Sequence, residues 1–202
     1  MQQCSPAGKI FAAIILLVTT FLQIACASGL ERYSLSKQSG LDFVELNNIA
    51  HGVKIPTRQL SNAKITNFTN ALSVVFNKEK YFTFGVLTRE GLGVPDEQFN
   101  LSNIPEYLIG NKPLPEQPTE AYRVFYETTV TGLSEILIKS LGNPIRTSYL
   151  NIADGKVYIA IGNKEAVLLI YTSKYPDIIS QLSTYGLSIT DIEEIILQGY
   201  IQ

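Results

Sequence analysis

The chain has no tryptophan, one histidine and one methionine, and both of its cysteines, Cys4 and Cys26, lie within the first 27 of 202 residues. A histidine-rich metal site is therefore excluded, and any Ser-His-Asp arrangement would have to use His51. The chain lacks a Gly-x-Ser-x-Gly elbow, a Gly-x-x-x-x-Gly-Lys phosphate loop and a His-Glu-x-x-His helix. Sixteen basic residues stand against eighteen acidic ones, and they are scattered rather than clustered. Nucleic-acid binding needs a basic stripe, and polybasic attachment to a membrane needs a basic cluster, so neither is expected. No cofactor and no metal ligand set is expected.

What is present begins with a leader. Lys9 is the only charge before an apolar run from Ile10 to Leu22 or Ile24, and Ala25-Cys26-Ala27 offers an A-x-A cleavage point. Cleavage there starts the mature chain at Ser28 and leaves it free of cysteine. The run Leu22-Gln-Ile-Ala-Cys26 also resembles a bacterial lipobox, which makes Cys26 the lipidation candidate, although Gln23 stands where that motif takes an aliphatic or small residue. A cysteine-free exported domain fits a bacterial periplasm, where the core alone supplies stability. The expected location is periplasmic or secreted, with an outer-membrane lipoprotein as the alternative. Membrane contact would come only through the leader or a lipid on Cys26.

The spacing then divides the chain into a signal peptide (1–27), a flexible Ser/Gly-rich tether (28–40), an N-terminal α/β half (41–110), a Pro-rich linker (111–118) and a C-terminal α+β half (119–202). Leu133, Ile136, Leu137 and Leu141 lie on one face of a 3.6-residue period, with Gly142 as the stop, so 133–141 reads as a helix. The alternation of Val157, Ile159 and Ile161 and the apolar run Ala166–Tyr171 predict strands, which with Tyr149 give three strands over 149–171. Leu72 to Leu87 predicts a hairpin turning at Asn77-Lys78-Glu79-Lys80. Helices are further predicted over 41–51, 176–184 (Pro176 in its first turn) and 189–197, and a strand over Tyr122–Val130. The segment 91–118 reads as loop, with one helical turn at Glu106–Ile109. Gly52, Pro56, Arg58 and Asn77 recur as Gly142, Pro144, Arg146 and Asn163, at offsets of 86 to 90 residues, and Pro95-Asp96 as Pro176-Asp177 at 81, which suggests a degenerate tandem α-β-β duplication.

The predicted fold class is α+β: a mostly antiparallel sheet with helices on one face. Chemistry is sparse. Asp96 and Glu97, and Glu193 and Glu194, are adjacent pairs whose side chains diverge, which does not suit a two-carboxylate hydrolase. Eleven tyrosines and nine phenylalanines are more suggestive, because a tyrosine offers a large apolar ring with a polar tip. Tyr122, Tyr126, Tyr149 and Tyr158 are the candidate partner-binding residues, and no catalytic residue is assigned. The expected function is an exported, non-catalytic protein-binding module of the bacterial envelope, of adaptor, inhibitor or immunity type, whose partner is another envelope protein. A small periplasmic hydrolase with a carboxylate-based site is the alternative.

Overall fold

The computed structural model describes residues 30–36, 38–48, 51–68, 71–95, 99–109, 112, 118–143 and 145–200. The leader, Cys4, Cys26, Asp96, Glu97, Pro144 and most of the Pro-rich linker lie outside the described residues. From Glu31 onward the chain is one compact unit. Its frame is an eight-stranded sheet in the order β1-β7-β8-β9-β10-β6-β5-β4. The strands are β1 (Glu31–Arg32), β4 (Lys64–Asn67), β5 (Ala71–Asn77), β6 (Lys80–Thr88), β7 (Arg146–Ile152), β8 (Gly155–Ile161), β9 (Glu165–Thr172) and β10 (Ile178–Tyr185). All pairs are antiparallel except β1 with β7. The predicted α+β class, with a mostly antiparallel sheet, is the fold the chain adopts.

Side chains alternate across a strand, so each strand divides its residues between the two faces of the sheet. On one face Leu72, Val74, Phe82, Phe84, Val157, Ile159, Leu168, Ile170 and Leu182 form the main core. That core is closed by a separate hairpin, β2 (Phe43–Asn48) with β3 (His51–Pro56), and by the C-terminal helix Ile189–Ile195. Val53 and Ile55 of β3, and Ile192, Ile195 and Ile196, are buried there. On the other face lie the helices α1 (Arg89–Leu92), α2 (Ile104–Ile109), α3 (Glu120–Phe125) and α4 (Thr131–Leu141), with a π-helical turn, Tyr126–Val130, joining α3 to α4. The C-terminal helix is α5.

The hairpin at 72–87, the strands over 149–171 and the helices near 133–141 and 189–197 stand where the spacing put them. Four other expectations are corrected. Among the described residues of 41–51, none is helical. Val53 and Ile55 point into the core while Lys54 points out, and that period of two draws 43–48 into a hairpin with 51–56. Residues 176–184 are not a helix but mostly the strand β10, inserted between β6 and β9. Its Ser180 and Thr184 are buried, and the Thr184 hydroxyl accepts from the Ala166 N–H (3.2 Å), so the polar positions that interrupt its apolar pattern are accommodated by the sheet.

Tyr122–Val130 is helical rather than a strand. The Thr119 side chain caps the first turn by accepting from the Tyr122 N–H. Arg123 pairs with Glu120 (2.7 Å) and Glu127 (3.5 Å), contacts available only at helical spacing.

The segment read as a tether is held from Glu31 onward. β1 pairs with β7, Tyr33 and Leu35 pack on the core, and Tyr33 donates its hydroxyl hydrogen to Glu193. The buried Gln198 side chain donates to the Ser36 carbonyl (2.9 Å) and accepts from the Gln38 N–H (3.0 Å). A tether has no partners, whereas here one buried amide engages the backbone of both residues.

Candidate partner-binding surface

The helical face brings the aromatic residues together. α2 begins with Pro105 in its first turn, where its missing N–H costs nothing, and places Glu106 and Tyr107 side by side. The Tyr107 and Tyr122 hydroxyls share a hydrogen bond of 2.8 Å. Tyr126 meets Tyr107 edge to face at 5.3 Å, and Phe99 lies between Tyr122 (4.9 Å) and Phe125 (5.4 Å). Such pairs add specific geometry to plain burial.

Glu106 organises the sheet side. Its carboxylate accepts from the Tyr158 hydroxyl (3.1 Å) and from Lys112 Nζ (3.1 Å), with Lys156 Nζ at 3.9 Å. Lys156 in turn lies over the rings of Tyr149 (5.4 Å) and Tyr158 (5.9 Å). Burial pushes the Tyr158 hydroxyl well above the usual tyrosine range, and the Glu106 charge and hydrogen bond push it further.

All four tyrosines picked from the sequence therefore belong to two coupled groups joined through α2. Tyr122, Tyr126 and Tyr149 are half-buried, and Tyr158 is buried with its hydroxyl turned inward. Tyr158 positions Glu106, while the other three keep part of their surface in water. Glu193 and Glu194 do diverge: the first accepts from Tyr33, and the second accepts from Gln59 Nε2 (3.3 Å). His51 lies in β3, paired in register with Asn48.

Beside this network lies a groove the sequence did not announce. The π turn widens the helical wall at Thr128 and Thr129, and the chain at 86–92 forms the opposite wall. The groove measures about 730 Å³, and none of its lining residues is charged. It adjoins a recess of about 120 Å³ beneath α4, where Leu133 and Leu137 face Val167 and Leu169 of β9. Ile136, on the apolar stripe of α4, is 66% exposed at this groove. Beyond it the helical layer stops. Ser73, Val75, Thr83, Gly85, Gln181, Ser183 and Tyr185 share this face and none is buried, whereas Leu72, Val74, Phe82, Phe84 and Leu182 opposite are. This half of the sheet face is thus an open floor running up to an apolar wall, with Lys64 at its β4 edge and Glu165 beside Tyr185.

Among the described residues no group of three His, Cys, Asp or Glu side chains is placed to hold a metal ion. No helix among them is long and apolar enough to cross a membrane. No protein-family model matches the chain, and no curated protein matches it. The chain is similar to the Saccharomyces cerevisiae Ran-binding protein Mog1p, whose 1.9 Å crystal structure aligns over 79% of this chain and 87% of that one at 7% identity, with a TM-score of 0.36. A likeness of that size carries no functional argument.

Proposed function

We propose that the chain is an exported, non-catalytic protein-binding module of a bacterial cell envelope, of adaptor, inhibitor or immunity type, and that it binds through the groove and the open floor beside it. The observation that supports this reading is the exposed Ile136 on the wall of an uncharged groove of about 730 Å³. A helix normally turns its apolar stripe inward, so a stripe residue two-thirds in water is unfinished packing that a partner's apolar anchor can complete. Export rests on the leader and its cleavage point at Ala25-Cys26-Ala27, or on a lipid at Cys26.

The test is retention of envelope proteins on the immobilised chain, compared with Ile136→Asp. The substitution is expected to reduce retention at least tenfold while leaving the melting temperature within about 2 °C, because an exposed site contributes little to stability. Equal retention by both forms would remove the groove from the reading. Intact-mass measurement of the native protein reads the leader, as a Ser28 start or an acylated Cys26; an unprocessed chain recovered from the cytoplasm would remove export.

A further inference from the structure

The two edges of the sheet are finished differently. At one edge β1 covers part of β7 and continues into the segment held by Gln198. At the other edge no strand lies beside β4 among the described residues. Two of the exposed large apolar side chains are here, Ile65 (43%) and Phe68 (58%). Native edges are usually blunted, because an open row of backbone groups pairs with any strand that meets it.

The phase of that open row follows from one contact. The Phe68 N–H donates to the Ala71 carbonyl (2.7 Å), toward β5. Backbone groups alternate in direction along an antiparallel strand, so Lys64 and Thr66 also turn theirs inward. The N–H and C=O groups of Ile65 and Asn67 therefore point away from the sheet. Side chains alternate as well, which places Lys64, Thr66 and Phe68 on one face and Ile65 on the other.

We propose that β4 pairs antiparallel with β4 of a second copy of this chain, about a twofold axis through Thr66 and perpendicular to the sheet. In that register Ile65 lies opposite the second copy's Asn67, and the outward groups of the two exchange both hydrogen bonds. Symmetry repeats the exchange, giving four backbone bonds. Lys64 lies opposite the second copy's Phe68 on the same face, so an ammonium meets an aromatic ring twice and no like charges meet. Centring the axis on Ile65 is poorer. It pairs Ile65 with itself and sets Asn67 against Ala63, whose N–H is already taken by the Leu60 carbonyl. The complementarity of Lys64 and Phe68 under the twofold axis is what selects a second copy over an unrelated extended peptide.

The contact is short and falls well below the roughly 800 Å² per partner of a standard interface, so a dissociation constant on the order of 100 μM is expected. Sedimentation equilibrium of the full chain over a concentration series tests it, with the leader common to every form compared. Phe68→Lys sets a like charge opposite Lys64 and should raise the dissociation constant at least tenfold, whereas Phe68→Glu should keep or tighten the dimer. Asn67→Pro removes an outward N–H while sparing the β4–β5 ladder, and should also weaken association at least tenfold. Phe68 is largely exposed, so its charge variants keep the core, and circular dichroism checks that they fold. A chain that stays monomeric to about 1 mM, or that associates equally in the Phe68→Lys form, overturns the proposal.

Discussion

Individual tyrosines do more here to fasten the fold than to decorate its surface. Burial pushes the Tyr33, Tyr158 and Tyr200 hydroxyls far above the usual value near 10, and Glu193 and Glu106 add to the shift at the first two. A hydroxyl with a raised folded value stays protonated after the unfolded chain has begun to ionise. Its stabilisation is fully present below about pH 10 and is lost as pH rises toward the folded value. The urea midpoint should therefore hold through pH 9 and fall steeply by pH 11, and Tyr33→Phe should make the fall shallower; a flat profile would contradict the burial of these groups. At neutral pH, Tyr158→Phe removes a hydrogen bond to a carboxylate and should cost about 1.5 kcal/mol in equilibrium unfolding. None of this was legible in the sequence, where Tyr158 looked like a surface contact. Its hydroxyl is held inward by Glu106, which the spacing placed in a single helical turn within a stretch read otherwise as loop.

Single elements show why some of the fold could be read and some could not. β8 and β9 were legible because their central residues are buried on both faces and need no information from elsewhere. Residues 120–130 carried both periods, and the choice was made by the Thr119 cap and the Arg123 pairs. β10 was illegible because its neighbours, β6 and β9, are what make Ser180 and Thr184 acceptable inside; no local signal carries that. Gly52 is the second residue of strand β3, whereas Gly142 caps the end of helix α4.

The best-specified helix is α5. Ser188 accepts from the Asp191 N–H, Asp191 accepts from the Ser188 N–H, and Lys80 pairs with Asp191 at 2.9 Å. Burial raises the Asp191 carboxyl, but these hydrogen bonds outweigh it and hold the group below its ordinary range. Ser188→Ala should cost about 1 kcal/mol and expose the 189–195 amides to hydrogen exchange. Unchanged exchange would mean that packing alone holds the helix. Gly186 combines a positive φ of 68° with the Glu79 carbonyl where a Cβ would go, so Gly186→Ala should cost more than about 1 kcal/mol by thermal denaturation.

For the molecule as a whole, the position of the last strand has a kinetic consequence. β10 is last in sequence but lies inside the sheet, joining the run β4-β5-β6 to the run β7-β8-β9. Leu182 meets Phe84, so the seam closes a loop of nearly a hundred residues, and contacts of that separation form slowly. Until residues 178–185 are available, β6 and β9 each keep a raw edge and the two runs cannot join. Deleting 178–202 should therefore yield an aggregating chain rather than a smaller domain, read as loss of soluble monomer; a soluble, cooperatively melting fragment would refute this. A chain with this strand order cannot complete its sheet before residues 178–185 are made, so the strand order acts as a timer on the closing of the sheet.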